Sequence, residues 1–158
     1  MSDLAVRSRW ALVHDGAGAN IVTDRWIVVE HGRIAAVTGE RPSAARLIDR
    51  PDLLVLPGFI DLHNHVFTEM LIRGRSEDLE AQSYETTLIY GLLMPYGQQA
   101  MKRLSAAELE AVAELGLMQL VRSGVTTLME PLRAGLTDPF VNAAKRAGLR
   151  FYAAPYLF

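Results

Sequence analysis

Leu-Val-Leu-Pro-Gly-Phe-Ile-Asp-Leu-His-Asn-His, residues 54–65, is the stretch of sequence that decides the fold of this chain. It begins as a short apolar run and turns at Pro57-Gly58, a dipeptide typical of turns. An apolar strand of the buried type is predicted next, from Phe59 to Leu62. This strand leads directly into two histidines, so the same stretch predicts a structural element and a candidate site.

The two histidines, His63 and His65, are separated by one residue at the end of the predicted strand. Because side chains alternate between the faces of a strand, both imidazoles are predicted to point the same way and Asn64 the other way. Neutral imidazole is a preferred zinc ligand, so the pair can bind one divalent cation. A His-x-His motif alone has low specificity, and two histidines on a solvated strand are the alternative interpretation.

The composition of the 158 residues narrows the class of protein. Half of the residues are hydrophobic and 22% are charged, as in ordinary globular domains. The formal net charge of −2 and the lack of a basic run argue against a nucleic-acid partner. The sequence has no cysteine, which excludes a disulfide framework and a thiolate metal site. No signal peptide or membrane-spanning run is recognised, so we predict a cytoplasmic protein with no membrane partner.

The first 56 residues are predicted to form short strands separated by turns. Three strands are predicted, at residues 10–13, 26–30 and 33–37. His14 and His31 lie at strand ends or turns here, and we interpret both as solvated structural residues. Residues 42–52 contain two prolines and mixed charges, and they are predicted to form a linker.

The chain after His65 is predicted to contain helices and strands in alternation. A capping box formed by Ser105 and Glu108 begins one helix, which is predicted to end near Gly124. The remaining elements are a strand at residues 125–129, a helix from Asp138-Pro139 to Ala147, and a strand at residues 149–154. Alternation of this kind implies parallel strands joined by right-handed crossovers. Residues 84–101 are interpreted as a packed helix or a lid.

Three segments resemble the amidohydrolase superfamily of metal-dependent hydrolases. Residues 57–65 resemble its first barrel strand, residues 123–127 its second, and residues 147–150 the entry to its third. The resemblance covers nearly the whole chain but only roughly the first third of a family member. It implies an α/β fold, with residues 1–56 as a β-sandwich segment and residues 57–158 as the start of a (β/α)8 TIM barrel. The barrel would contain three β/α units here and would be incomplete in this chain.

The resemblance also implies which residues form the site. His63 and His65 would be two ligands of a catalytic metal, with zinc the expected ion and iron, manganese or cobalt as alternatives. Further ligands in the family come from later strands, which these 158 residues do not reach. Glu130, Glu69 and Arg73 are candidates for substrate contact, although a solvated or capping carboxylate is the alternative for Glu130. No residue of this chain is assigned as a catalytic acid or base.

Residues 71–79 resemble the deaminase and chlorohydrolase branch of the superfamily, with one extra residue between His65 and Arg73. This implies a small-molecule substrate and hydrolysis of a C–N or C–Cl bond. The expected reaction is deamination of an amino-substituted heterocycle by a metal-bound hydroxide. A cyclic-amide hydrolase of the dihydroorotase or hydantoinase type is one alternative, and a non-catalytic half-barrel module is the other.

The predicted elements also suggest association with other polypeptides. Three strands of a closed barrel would leave a strand edge and an apolar helix face uncovered. We therefore expect a complementary polypeptide that completes the barrel, and an oligomeric assembly.

Overall fold

The computed structural model of the protein describes residues 2–72 and 94–155. The chain divides into two units, Met1–Pro57 and Gly58–Phe158. The first contains a sheet alone and the second contains a sheet with helices, so the overall class is α/β. None of the helices in the described ranges is both long enough and apolar enough to cross a membrane.

The first unit is built from four strands in one sheet. The strands are β1 (Ser2–His14), β2 (Ala19–Glu30), β3 (Arg33–Thr38) and β4 (Ala44–Val55). Their order across the sheet is β3-β2-β1-β4, with β1 antiparallel to β2 and parallel to β4. The predicted strands all lie within longer ones, and β1 and β2 extend well beyond their predicted segments because they pair with each other from Leu4–Val29 to His14–Ala19. In the described residues this unit shows a single sheet, so the second layer of the predicted sandwich stays a prediction.

The prediction of a linker at residues 42–52 is wrong. Most of that segment belongs to β4, which pairs with β1 from Ser2 to Ala11. Pro51 is tolerated because β4 is an edge strand and the register with β1 shifts between Ser8 and Trp10, where residues 51–53 bulge. Charge does not exclude a strand here either, since Arg7 donates two hydrogen bonds, of 2.9 and 3.0 Å, to Asp49 on the neighbouring strand.

The second unit contains strands and helices in alternation. Its elements are β5 (Phe59–Asp61), α1 (Val66–Ile72), α2 (Met94–Arg103), α3 (Ala106–Arg122), β6 (Val125–Leu132), a 3-10 turn (Ala134–Leu136), α4 (Thr137–Ala147) and β7 (Arg150–Pro155). The three strands are parallel and adjacent in the order β5-β6-β7. The predicted parallel arrangement is therefore confirmed. Of the segment interpreted as a packed helix or a lid, residues 84–93 lie outside the described residues, and the rest is in α2.

The long helix α3 begins and ends as its sequence predicts. The Ser105 side chain accepts a hydrogen bond from the backbone of Glu108, and the Glu108 carboxylate accepts one from the backbone of Ser105. Gly124 follows the helix with φ +89°, a conformation that glycine adopts without a Cβ penalty. Helix α4 also ends at a left-handed glycine, Gly148. The capping box and both glycine ends are confirmed.

Several boundaries differ from the predictions. Strand β5 stops at Asp61 instead of Leu62, and β6 continues three residues past Met129 to Leu132. Asp138 lies in the first turn of α4 and does not cap it, because the helix begins one residue earlier, after Leu136. The longer β6 follows from its pairing with β7, which continues to Leu132 opposite Pro155.

The core of the second unit lies between the sheet and its helices. Leu128 and Leu132 of β6 pack with residues of α1, α3 and α4, including Phe67, Leu117 and Phe140. The rings of Phe140 and Phe151 meet edge to face, with centroids 5.7 Å apart. Met129 and Tyr152 lie on the opposite face of the sheet, where they are 36% and 68% exposed. Within residues 58–72 and 94–155, the sheet thus has one face covered by helices and one open face.

Candidate metal centre

The two predicted ligand histidines lie in the loop that joins β5 to α1. His63 and His65 follow the last strand residue, Asp61, and precede the first helical residue, Val66. We predicted that the alternation of side chains along a strand would align the two imidazoles. That explanation is wrong, because the strand ends before His63. Their shared direction comes from the folded loop of residues 62–65.

The imidazoles of His63 and His65 converge. Their Nε2 atoms are 3.1 Å apart and their ring centroids are 4.8 Å apart, with the ring planes at 87°. Two nitrogens bound tetrahedrally to one zinc, each at about 2.0–2.1 Å, lie roughly 3.3–3.4 Å apart. The observed separation therefore fits two ligands of one divalent cation. It also fits a hydrogen bond in which one Nε2–H donates to the other ring, since the distance does not fix the tautomers.

An aspartate at the end of β5 organises the start of the loop. The Asp61 carboxylate accepts a hydrogen bond of 3.1 Å from the backbone N–H of His63 and one of 2.8 Å from the Asn64 side chain. Sequence reasoning missed this residue, although an aspartate that bonds the backbone two residues later is a recognised turn signal. Asp61 thereby fixes the backbone from which the first imidazole projects.

A glutamate from the neighbouring strand bonds the end of the loop. Glu130 of β6 is 1% exposed, and its Oε1 accepts a 2.8 Å hydrogen bond from the backbone N–H of Val66. The structure thus places Glu130 beside the histidine loop, with its carboxylate turned to the residue after His65. Substrate contact through Glu130 stays a prediction, and the capping alternative describes the bond that is observed.

The other predicted substrate contacts are described only in part. The backbone of Glu69 belongs to α1, which begins directly after the histidine loop. Arg73 lies outside the described residues. Among the described residues, no group of three or more His, Asp or Glu side chains is close enough to hold a metal ion. The two imidazoles are therefore the candidate metal ligands in the described part of the chain.

The remaining two histidines lie in the first unit, His14 at the end of β1 and His31 in a turn. His14 accepts a hydrogen bond of 3.0 Å at Nδ1 from the backbone of Gly16. His31 has φ +51° in the turn after β2, and its backbone N–H donates to Asp3. Both hydrogen bonds lie within the first unit, and this agrees with our interpretation of the two histidines as structural residues.

The second unit has parallel strands with intervening helices, and two converging imidazoles follow its first strand. The chain is therefore an α/β protein with a candidate cation site where that strand ends. Residues 54–158 match the model of the Amidohydrolase family. This chain belongs to that family.

Curated relatives share the sequence over most of the chain. It is 30% identical over 144 residues to a 5-methylthioadenosine/S-adenosylhomocysteine deaminase of Nitratidesulfovibrio vulgaris, covering 87% of this chain and 30% of the relative. It is 38% identical over 115 residues to an imidazolonepropionase of Klebsiella pneumoniae, covering 72% of this chain and 28% of the relative. The chain thus spans about 30% of the length of the curated relatives it matches.

Solved structures share the fold. An atrazine chlorohydrolase from Arthrobacter aurescens TC1, complexed with zinc, matches with a TM-score of 0.79 and 24% identity, over 96% of this chain and 35% of that one. A guanine deaminase from C. acetobutylicum with bound guanine matches with a TM-score of 0.70 and 19% identity, over 94% of this chain and 35% of that one. At these identities the likeness shows the fold alone.

Proposed function

We propose that His63 and His65 are two ligands of a divalent metal, with zinc the expected ion, in a hydrolase that acts on C–N bonds. The convergence of their Nε2 atoms to 3.1 Å, in a chain of the amidohydrolase family, carries this proposal. A divalent cation at this position would supply Lewis acidity and lower the pKa of a bound water towards about 7. The chain's own part is to hold two neutral imidazoles with their Nε2 lone pairs directed at one point.

A catalytic zinc takes at least three protein ligands, whereas the described residues bring together two candidates, so we propose that the remaining ligands come from further strands of the barrel. We propose that residues 57–158 form the first three β/α units of a TIM barrel and residues 1–56 a β-sandwich segment. The barrel would be completed by further strands in the same or a complementary polypeptide, with the assembly an oligomer. The open face beside Met129 and Tyr152 supports this, since the interior of such a barrel is filled by facing side chains. The cytoplasm stays the predicted compartment.

For the substrate we propose an amino-substituted heterocycle that is deaminated by hydrolysis. Support comes from the name of a curated relative, a 5-methylthioadenosine/S-adenosylhomocysteine deaminase. The resemblance of residues 71–79 to the deaminase and chlorohydrolase branch extends the proposal to a C–Cl bond. The name of another curated relative, an imidazolonepropionase, contains an imidazolone, which is a cyclic amide, and this favours a cyclic-amide hydrolase as the second candidate. Glu69 and Arg73 stay proposed substrate contacts.

The test begins with the natively purified protein and any polypeptide that remains bound to it. Native mass spectrometry would give the assembly, and elemental analysis its metal content. A His63→Ala, His65→Ala double variant is expected to lose the metal, whereas a His14→Ala, His31→Ala double variant should retain it. Stoichiometric metal in the first double variant would refute the proposed ligands.

Activity is measured on the metal-loaded assembly with aminopurines, aminopyrimidines, chlorinated triazines and cyclic amides. Release of ammonia from an aromatic amine supports hydrolytic deamination, and release of chloride supports hydrolysis of a C–Cl bond. Ring opening without ammonia supports the cyclic-amide hydrolase. If the loaded assembly hydrolyses no member of this panel, the non-catalytic half-barrel module is the better description.

A further inference from the structure

Glu130 is a carboxylate on the covered face of the sheet. Within β6, Leu128, Glu130 and Leu132 are all buried, at 0%, 1% and 1% exposed, whereas Met129 between them is 36% exposed. Because side chains alternate along a strand, the glutamate points to the same side as the two core leucines. A carboxylate in such surroundings is costly unless it is hydrogen-bonded, so its position calls for a specific partner.

One such partner is the backbone N–H of Val66, the residue that follows the second histidine. Glu130 Oε1 lies 2.8 Å from the N–H of Val66, which is 64 residues earlier in the chain. Val66 is the first residue of α1, and an N–H in the first turn of a helix has no acceptor within the helix. The bond is buried and therefore protected from competition by water.

The strand register explains how Glu130 reaches this position. Asp61, the last residue of β5, lies opposite Leu128 of β6. Strand β6 continues after β5 has ended, so Glu130 is two residues beyond the last pair and lies alongside the histidine loop. The loop is thus held at both ends by carboxylates that accept backbone N–H groups: Asp61 at His63, and Glu130 at Val66.

We infer that Glu130 is a positioning residue for the metal centre: by holding the Val66 backbone, it keeps the His65 imidazole converged on that of His63. This inference rests on the proposed metal centre. It assigns Glu130 a role through the backbone, in place of contact with the substrate or the cation. In this role the side chain must be long enough to bring an acceptor oxygen to the Val66 N–H. Its negative charge is less important for holding the loop.

Two variants of Glu130 separate the effect of side-chain length from the effect of negative charge. Glu130→Gln keeps the length of the side chain and a carbonyl oxygen that can accept the Val66 N–H. Glu130→Asp keeps the charge but is one methylene shorter, so its oxygen no longer reaches. Leu132→Ala, on the same face of the same strand, is the control for a general loss of core stability.

The readouts are Co²⁺ affinity, measured by competition with a chromophoric chelator, and hydrogen exchange of the peptide that contains Val66. Both use the natively purified assembly, stripped of metal. We expect Glu130→Asp to bind Co²⁺ about tenfold more weakly and to exchange faster at Val66, as with other residues that orient metal ligands. Glu130→Gln should stay within about threefold of the wild type, and Leu132→Ala should keep its affinity despite its lower stability.

The outcomes separate this inference from the proposed function. A wild-type assembly that binds neither Co²⁺ nor Zn²⁺ would remove the metal centre itself. A wild type that binds Co²⁺, with Glu130→Asp binding it equally well, would overturn the positioning role and leave the metal centre intact. The role is also overturned if Leu132→Ala weakens binding as much as Glu130→Asp, or if Glu130→Gln loses affinity like Glu130→Asp.

Discussion

Gly116 of α3 packs so closely against Val66 of α1 that a Cβ on the glycine would lie 2.8 Å from Val66 Cγ1 and 3.2 Å from the Val66 carbonyl oxygen. Real Cβ atoms do not approach a neighbour this closely, and the valine is β-branched and 2% exposed, so it has little room to move. The contact joins the long helix α3 to the residue directly after the histidine loop. The absence of a side chain at residue 116 therefore sets how closely the two helices approach.

We expect Gly116→Ala to destabilise the protein. Alanine would gain about 0.8–1.0 kcal/mol in helix propensity. Overpacking against a rigid neighbour costs about 1–3 kcal/mol, so the net change in the free energy of unfolding should be a loss. Urea denaturation measures it. Leu115→Ala is the control, because Leu115 is the preceding residue and is 55% exposed. A gain in stability for Gly116→Ala would show that α1 moves away without cost.

A second close contact lies at the start of the second unit. A Cβ on Gly58 would be 2.7 Å from Thr126 Cβ and closer still to both γ atoms of that threonine. Gly58→Ala should therefore cost about 1–3 kcal/mol in the free energy of unfolding. Thr126 is exposed on β6, so Thr126→Ala alone should have a small effect.

The double variant Gly58→Ala, Thr126→Ala tests the cause. Removing the threonine γ atoms relieves the two closest contacts, so the double variant should be more stable than Gly58→Ala alone. The coupling in this double-mutant cycle should be clearly favourable, as for residues in direct contact. Additive effects of the two substitutions would mean that the γ atoms of Thr126 are not the cause of the loss.

The elements that sequence predicts well here are those with local causes. The capping box of Ser105 and Glu108 and the terminal glycine at residue 148 depend on residues within a turn of one another. These helix ends could therefore be predicted from the sequence without knowledge of the fold. The histidine pair could also be recognised as a candidate metal site, because the two imidazoles are one residue apart after a predicted strand.

The features that sequence did not predict depend on residues far apart in the chain. Strand β4 forms because β1, more than 40 residues earlier, provides a partner for it, as in the Arg7–Asp49 pair. The local signal of Pro51 suggested a linker instead. Likewise, nothing near Glu130 indicates that its carboxylate accepts the Val66 N–H, since 64 residues separate the two. Sequence gave the type of the site residues but not the contacts that hold them.

Helices α3 and α4 are joined by a carboxylate whose pKa makes stability depend on pH. Glu110 accepts hydrogen bonds of 2.7 Å from Asn142 and 2.9 Å from Arg146. The Asn142 bond, followed by the Arg146 bond and charge, holds the pKa of Glu110 below its ordinary value. A carboxyl group with a lowered pKa in the folded state stabilises the protein fully above its unfolded pKa, about 4.3 for glutamate. This contribution is lost as the pH falls through the folded pKa.

We therefore expect Glu110→Gln to reduce the decline in stability below about pH 4.3, where the unfolded state binds more protons than the folded state. Urea denaturation from pH 3 to pH 7 measures the two profiles. Glu114→Gln is the matched control, because Glu114 is on the same helix and contacts Arg146 at the longer distance of 3.5 Å. Parallel profiles for wild type and Glu110→Gln would show that this carboxylate does not contribute to the acid sensitivity.

The last prediction concerns Asp61, which bonds the start of the histidine loop. Asp61→Ala removes the acceptors for the His63 backbone N–H and for the Asn64 side chain. The loop should then become less ordered around His63, and the imidazoles should no longer be held 3.1 Å apart. We expect faster hydrogen exchange at His63 and, if the histidines bind metal as proposed, about tenfold weaker Co²⁺ affinity.

Asp61→Asn separates the two bonds that the carboxylate makes. Its amide keeps one oxygen, which can accept the His63 N–H, but its nitrogen cannot accept a bond from Asn64. Its exchange rate and Co²⁺ affinity should therefore lie between those of wild type and Asp61→Ala. Asp138→Asn, which removes a carboxylate in the first turn of α4, controls for the lost charge and should change neither readout. If Asp61→Ala leaves exchange at His63 unchanged, the loop is ordered by its other contacts and Asp61 has no organising role. In that case the bond between Glu130 and Val66 would be the remaining carboxylate contact that holds the loop, and substitutions of Glu130 should then have the larger effect on Co²⁺ binding.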